Sequence, residues 1–291
     1  MSIESLESVP AKPYEKNIGI LDIYESYKNS PYLSIKWSSY FQVYAELFEQ
    51  YRDKPMTFVE VGVSNGGSLF MWRDYFGPKA RVIGIDLNPL AKKWEQEGFE
   101  IHIGDQSDPI FWETFFASVG LVDVVLDDGG HRFEQQIVTA HHCIAGIRDG
   151  GLMIVEDTHT NYLSEFGYPS KYSFIEWARG LIDNINSRHF SAAKMSKRAY
   201  KDSIYSVEFF ESIVAFKIDR KKCFDNEWTS NDGITCQAED FRFKGSVIEK
   251  LNRLASIFSF LKILPGLTAI KNMCFRRYTA YCMKKKVSRY F

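Results

Sequence analysis

The stretch Thr57-Phe58-Val59-Glu60-Val61-Gly62-Val63-Ser64-Asn65-Gly66-Gly67-Ser68 decides the fold. Its first five residues form a short, mainly β-branched and apolar run, which predicts a strand. The glycines that follow let the backbone turn sharply into a helix whose first N–H groups stay free for a ligand. One glycine turn is a weak signal, because tight strand-to-helix turns need glycine anyway. Repetition gives it weight. Arg81–Ile85, Glu100–Ile103, Val122–Leu126 and Leu152–Val155 are similar runs, and helix-like stretches at Ser68–Tyr75, Ile110–Val119 and Gln135–Ile147 lie between most of them. Strands alternating with helices predict an α/β fold with parallel pairing through right-handed crossovers. Ile204–Phe210 and Ser212–Ile218, parted only by Glu211, predict an antiparallel pair closing the far edge.

In such a sheet ligands bind outside the carboxyl ends of the strands, and the polar residues of this chain collect there. The second strand ends in Asp86, 26 residues after Glu60, where an acid can accept both ribose hydroxyls; the third runs into Gly104-Asp105-Gln106-Ser107-Asp108. A dinucleotide would want a further glycine where Ser64 stands, so an adenosyl ligand without phosphates is the better expectation. The fourth and fifth strands end in Asp127-Asp128-Gly129-Gly130-His131 and Glu156-Asp157-Thr158-His159. Carboxylates gathered that closely repel unless a cation lies between them, and an all-oxygen donor set favours Mg²⁺ or Ca²⁺ over zinc. His131 beside them is a candidate general base, with a structural histidine at a helix start as the bland alternative. Asp127 reads as a supporting or cofactor-facing carboxylate in preference to a ligand. His159 either lines a substrate pocket or caps a loop, and His141 and His142 are expected to pack within a helix.

Composition bounds the rest. With 291 residues, 45% hydrophobic and 15% aromatic, the chain can bury a substantial core and is expected to be a soluble globular protein. Its five cysteines have no metal-ligand spacing and an odd count, which argues against a disulfide framework and suits a cytoplasmic location. No run of 18 apolar residues occurs, and the first residues are acidic where a signal peptide would be basic. The net charge of −1 hides an asymmetry: all 37 acidic residues and 26 of the 36 basic ones precede residue 250, so the first 249 carry −11 and the last 42 carry +10. That basic, aromatic tail admits peripheral contact with an anionic membrane face or docking on the acidic body of its own or another subunit. Nucleic acid is not expected as a partner. The first 30 residues look like a loosely held arm, and Trp37–Tyr51 has helical spacing with one apolar face. An aromatic loop, Thr160–Tyr172, follows the second acid cluster and reads as a sugar-stacking lid or an ordinary surface loop.

These motifs together resemble the class I S-adenosylmethionine-dependent methyltransferases, and within them the metal-dependent sugar O-methyltransferases of the mycinamicin and macrocin type. The residues that carry the resemblance are Glu60–Leu69, Gly84–Pro89, Gly104–Asp108, Leu126–His131 and Val155–Thr160, within a similarity running from about Ile35 to Ile218; Tyr172–Trp177 and Val207–Ile213 add to it. The resemblance implies a Rossmann-like, mostly parallel seven-stranded sheet with an antiparallel edge strand, to which the chain is expected to add helical extensions at both ends. The ends of the chain lie outside the resemblance; read from their own residues, the expected organisation is an arm and helix over 1–55, the methyltransferase domain over 56–220 and a basic helical extension over 221–291. The resemblance also implies Asp128, Glu156 and Asp157 as ligands of Mg²⁺, with His131 and Asp128 at the chemistry. S-adenosylmethionine would be held by Glu60, Gly62, Ser64, Gly66, Ser68, Asp86, Asp105, Gln106, Ser107 and Asp127. Relatives often have serine where Gly130 stands, at the cost of one minor hydrogen bond. The expected acceptor is a sugar hydroxyl of a small molecule or glycan, and the expected assembly a homo-oligomer. A non-sugar diol or catechol, and a catalytically silent adenosyl-binding scaffold, are the alternatives.

Overall fold

The structure is a computed structural model that describes residues 14–192 and 199–234, together with scattered positions between 249 and 290. The chain divides into two compact units, Met1–Trp228 and Thr229–Phe291. Most of the basic tail lies outside the described residues.

Seven strands form one sheet: β1 Met56–Val61, β2 Ala80–Asp86, β3 Glu100–Ile103, β4 Val122–Asp127, β5 Ile147–Val155, β6 Ile204–Phe210 and β7 Ile213–Ile218. Their order is β3-β2-β1-β4-β5-β7-β6. The first five pair in parallel, as their alternation with helices demands. β7 enters antiparallel between β5 and β6. The antiparallel member is therefore the strand next to the edge, because the two-residue turn Glu211-Ser212, with Ser212 at φ 61°, folds β7 back inside β6.

Helices α1 Glu15–Ile18, α2 Asp22–Asn29, α3 Tyr40–Phe48, α4 Gly67–Phe76, α5 Pro109–Val119, α6 Phe133–Gly146 and α7 Phe174–Asn186 surround the sheet. Two apolar cores result. One packs Tyr44 and Phe48 of α3 and Trp72 and Phe76 of α4 on Phe58 of β1. The other packs Trp112 and Phe115 of α5, Cys143 and Ile144 of α6 and Phe174 of α7 on the strands. Asn88 and Asp108 cap the turns behind β2 and β3, each accepting from a backbone N–H two residues on.

The expected loose arm is partly a built element. Ile18 and Ile23 are buried, and Tyr24 and Tyr27 of α2 pack their rings on Phe41 of α3. The polar majority of α2 concealed a stripe of Ile23, Tyr24 and Tyr27 at helical spacing, which becomes legible only once α3 supplies the surface that it covers.

Candidate functional site

The strand order reverses direction between β1 and β4, and a cavity of about 550 Å³ opens at their carboxyl ends, within the usual range for small-molecule sites. Its wall includes Gly62, Ser64, Ser68, Asp86, Asp105, Gln106, Asp128, His131 and Asp157, so most of the motifs separated along the chain meet here. Gly62 sits at φ 93°, and a Cβ there would lie 2.2 Å from the carbonyl oxygen of Asp128; only glycine allows the two turns to approach so closely. Asp86 accepts from the N–H groups of Val63 and Ser64 at 2.9 and 3.1 Å. It therefore shapes the glycine turn as well as lining the cavity.

Four residues assigned to the cofactor stand behind that wall. Glu60 is fully buried, accepting from Ser68 Oγ at 2.7 Å and Trp72 Nε1 at 2.8 Å, and burial pushes its pKa up to about 7. Gly66 presses on the Trp94 ring. Ser107 donates through both its N–H and its hydroxyl to Asp105 Oδ1, which holds the Asp105 carboxyl below its ordinary range. Asp127 is buried, and burial pushes it up to about 6; Gln106 and the Gly129 N–H bond its Oδ1, while Oδ2 has no hydrogen-bond partner. These residues build the wall from behind. Sequence reasoning missed Leu33, Ser34 and Ile35, which line the same cavity from the segment before α3. No strand-end signal marks them.

The acid clusters resolve into two groups. Asp128, His131 and Asp157, all half-buried, each bring one donor atom to within 4.8 Å of the others. Two carboxylate oxygens and an imidazole nitrogen in that compass fit a divalent cation of the magnesium or manganese kind. His131 and Asp157 both hold left-handed backbone conformations, at φ 58° and 52°, the kind of strain that clusters at functional sites. Tyr40 donates to Asp157 Oδ1 at 2.5 Å, and Thr160 Oγ1 bonds the Asp157 carbonyl at 2.7 Å.

Glu156, expected beside Asp128 and Asp157 as a ligand, falls outside this trio. It is fully buried, with Tyr44 donating to Oε1 and Lys36 Nζ donating to Oε2 at 2.8 Å. Lys36 also donates to Asp128 Oδ2 at 2.6 Å. Burial works against the Lys36 ammonium, but Asp128 and Glu156 outweigh it and hold its pKa well above the usual lysine range. Burial pushes Glu156 in the opposite sense, up to about 8, against the pull of Lys36. With an ammonium at hydrogen-bond distance from both carboxylates, we read the pair as charged.

The remaining histidines separate. His159 Nδ1 lies 3.8 Å from Asp157 Oδ1, and its ring meets Trp37 edge-on. His142 packs against the His141 ring, whereas His141 is exposed and hydrogen-bonded to Tyr200. Thr160–Tyr172 includes the end of a 3₁₀ turn over Thr158–Tyr162 and a second over Ser164–Phe166, with Asn161 bonding Gln136 and Tyr162, Tyr168 and Tyr172 exposed.

This sheet order and glycine-rich first turn are those of the class I S-adenosylmethionine-dependent methyltransferase fold. In sequence the chain is similar to sugar O-methyltransferases. It is 34% identical over 143 residues to 8-demethyl-8-alpha-L-rhamnosyl tetracenomycin-C 2'-O-methyltransferase of Streptomyces olivaceus, covering 46% of this chain and 37% of that one. It is 32% identical over 188 residues to demethylmacrocin O-methyltransferase of Streptomyces fradiae, covering 60% of this chain and 47% of that one. The chain thus spans half or less of the length of these relatives. In structure it superposes on MycE methyltransferase from the mycinamycin biosynthetic pathway, solved with Mg and SAH, with a TM-score of 0.61 and 22% identity, covering 73% of this chain and 57% of that one. No family profile matches the chain.

Proposed function

We propose that this protein is a Mg²⁺-dependent O-methyltransferase that moves a methyl group from S-adenosylmethionine to a sugar hydroxyl. The observation that carries the reading is the Asp128, His131 and Asp157 trio on the wall of a strand-end cavity. The relatives support the acceptor class, since their names give a rhamnosyl tetracenomycin and demethylmacrocin as the methyl acceptors, and the MycE structure with Mg, SAH and mycinamycin VI supports the ligands.

In this reading Gly62, Ser64, Ser68, Asp86, Asp105 and Gln106 hold the adenosyl donor. Asp128 and Asp157 would hold the divalent ion, which when bound would supply Lewis acidity toward the acceptor hydroxyl. His131 takes the acceptor proton as the acceptor oxygen attacks the methyl carbon and the carbon–sulfur bond breaks, leaving S-adenosylhomocysteine. Asp157, 3.4 Å from His131 Nε2, orients the imidazole. A second reading makes His131 a third ligand, favoured by the same 4.8 Å compass. Glu156 serves as the buried partner of Lys36 and Tyr44.

The test is transfer of labelled methyl from S-adenosylmethionine to a panel of rhamnosides and macrolide glycosides, after EDTA treatment and with Mg²⁺ restored. Label should reach the glycosides only with the ion. Undiminished transfer after exhaustive chelation would sink the metal role, and transfer only to catechols would sink the sugar. We further propose a cytoplasmic homo-oligomer whose basic tail meets an anionic membrane face. Sedimentation with anionic vesicles at low and high salt tests the tail, which should bind only at low salt.

A further inference from the structure

Residues 33 to 37 connect α2 to α3 without helix or strand, and their exposure alternates along the chain. Leu33, Ile35 and Trp37 are 62%, 81% and 58% exposed, whereas the Lys36 side chain is only 2% accessible. A lysine buried in an otherwise exposed segment sacrifices hydration and rotamer freedom, so its burial needs strong partners. It has two, Asp128 Oδ2 at 2.6 Å and Glu156 Oε2 at 2.8 Å, with the Tyr44 ring at 5.9 Å. The acidic edge gains a cation from the protein itself.

The same segment is fitted closely to the glycine turn. A Cβ on Gly67 would lie 2.3 Å from the Tyr32 carbonyl oxygen, Ser30 Oγ bonds the Gly67 carbonyl at 2.8 Å, and Tyr27 OH bonds the Ser34 carbonyl at 3.1 Å. Leu33, Ser34 and Ile35 line the cavity. Upstream of Lys36 the segment is held by single neutral hydrogen bonds. Only Lys36 ties its downstream end to the strand ends by charge.

We infer that Lys36 is a positioning residue: by spanning Asp128 and Glu156 it anchors segment 33–37 to the acidic edge and so sets the wall of the methyl-donor cavity. Glu156 is the counter-charge of this anchor. Asp128 is shared, one oxygen engaged by Lys36 and the carboxylate as a whole still within the trio. The role in donor binding rests on the methyltransferase reading; the anchoring does not.

The test compares the full chain with Lys36→Arg, Lys36→Met and the Lys36→Met/Glu156→Gln double variant, all treated with EDTA. Limited chymotrypsin digestion reads cleavage after Leu33 and Trp37 by fragment mass, and calorimetry reads S-adenosylhomocysteine affinity. Lys36→Met should be cut at these sites at least tenfold faster and bind S-adenosylhomocysteine at least tenfold more weakly, with Lys36→Arg recovering part of both. The double variant removes one charge of each sign, so it keeps the net charge should the single variant fail to fold. It should melt near the parent temperature yet remain as loose at 33–37 and as weak in binding. A folded Lys36→Met or double variant with parental cleavage and affinity would overturn the anchor. So would faster cleavage of the parent on adding Mg²⁺, which would mean that the ion takes the carboxylates from the lysine. A parent that binds no S-adenosylhomocysteine while the cleavage difference holds supports the anchor and refutes the methyl-donor reading.

Discussion

His131 Nε2 lies 3.4 Å from Asp157 Oδ2, joining two residues from different strand ends that both hold left-handed backbone conformations. In the proposed reaction this contact restrains the imidazole for a role as general base. His131→Ala should therefore lower kcat by roughly 10²–10⁴-fold with little change in donor affinity. Steady-state kinetics across a Mg²⁺ series checks this. Rescue by high Mg²⁺ would make His131 a ligand instead, and a near-normal kcat would leave it neither role.

Asp86 carries two duties, accepting from the Val63 and Ser64 N–H groups and facing the cavity. Asp86→Ala should weaken S-adenosylmethionine binding by about 1.5–3 kcal/mol, the range for hydrogen bonds to a charged group. Asp86→Asn should recover less than half of that, because an amide nitrogen cannot accept. Calorimetry showing unchanged affinity in Asp86→Ala would remove the donor from this end of the cavity.

Glu60 is one of the buried carboxyls, with Asp127 and Glu156, from which a pH effect on stability follows. Burial raises its pKa from an ordinary 4.5 to about 7 in the folded chain. A carboxyl raised on folding binds its proton more tightly in the native state. Its contribution is fully present below the unfolded pKa and is lost as pH rises through about 7. The parent should lose stability between pH 5 and 8, by up to a few kcal/mol from this group. Glu60→Gln should flatten that slope, since its amide keeps an acceptor for Trp72 or Ser68. Parallel melting curves against pH for the two proteins would refute the assignment.

Gly62→Ala would force a side chain onto a residue at φ 93° and a Cβ to 2.2 Å from the Asp128 carbonyl oxygen. Backbone strain of this kind costs of order 1–3 kcal/mol, and the clash adds to it. A drop in melting temperature of about 2–4 °C for each kcal/mol is expected. Calorimetry giving an unchanged melting temperature would show that the β1 and β4 turns separate freely.

The sequence by itself determined the sheet, the edge at which the cavity opens and the residues gathered there. These are local properties: an apolar run followed by glycine makes a strand and a turn, and polar residues next in the chain must fall at the carboxyl edge. Asp86, Asp105, Asp128, His131 and Asp157 were legible for that reason. Only the tertiary structure decided which carboxylates remain free to act. Glu156 and Asp157 are neighbours in the chain, yet one is buried against Tyr44 and Lys36 while the other faces His131. Glu60 and Asp127, equally strand-end acids, turn away from the cavity to Trp72 and Gln106. Adjacent side chains leave the backbone in different directions, and whether a buried acid finds a cation, a hydroxyl or a ligand depends on what distant segments place there. Lys36 reaches Glu156 across 120 residues of chain, and no local pattern announces that contact.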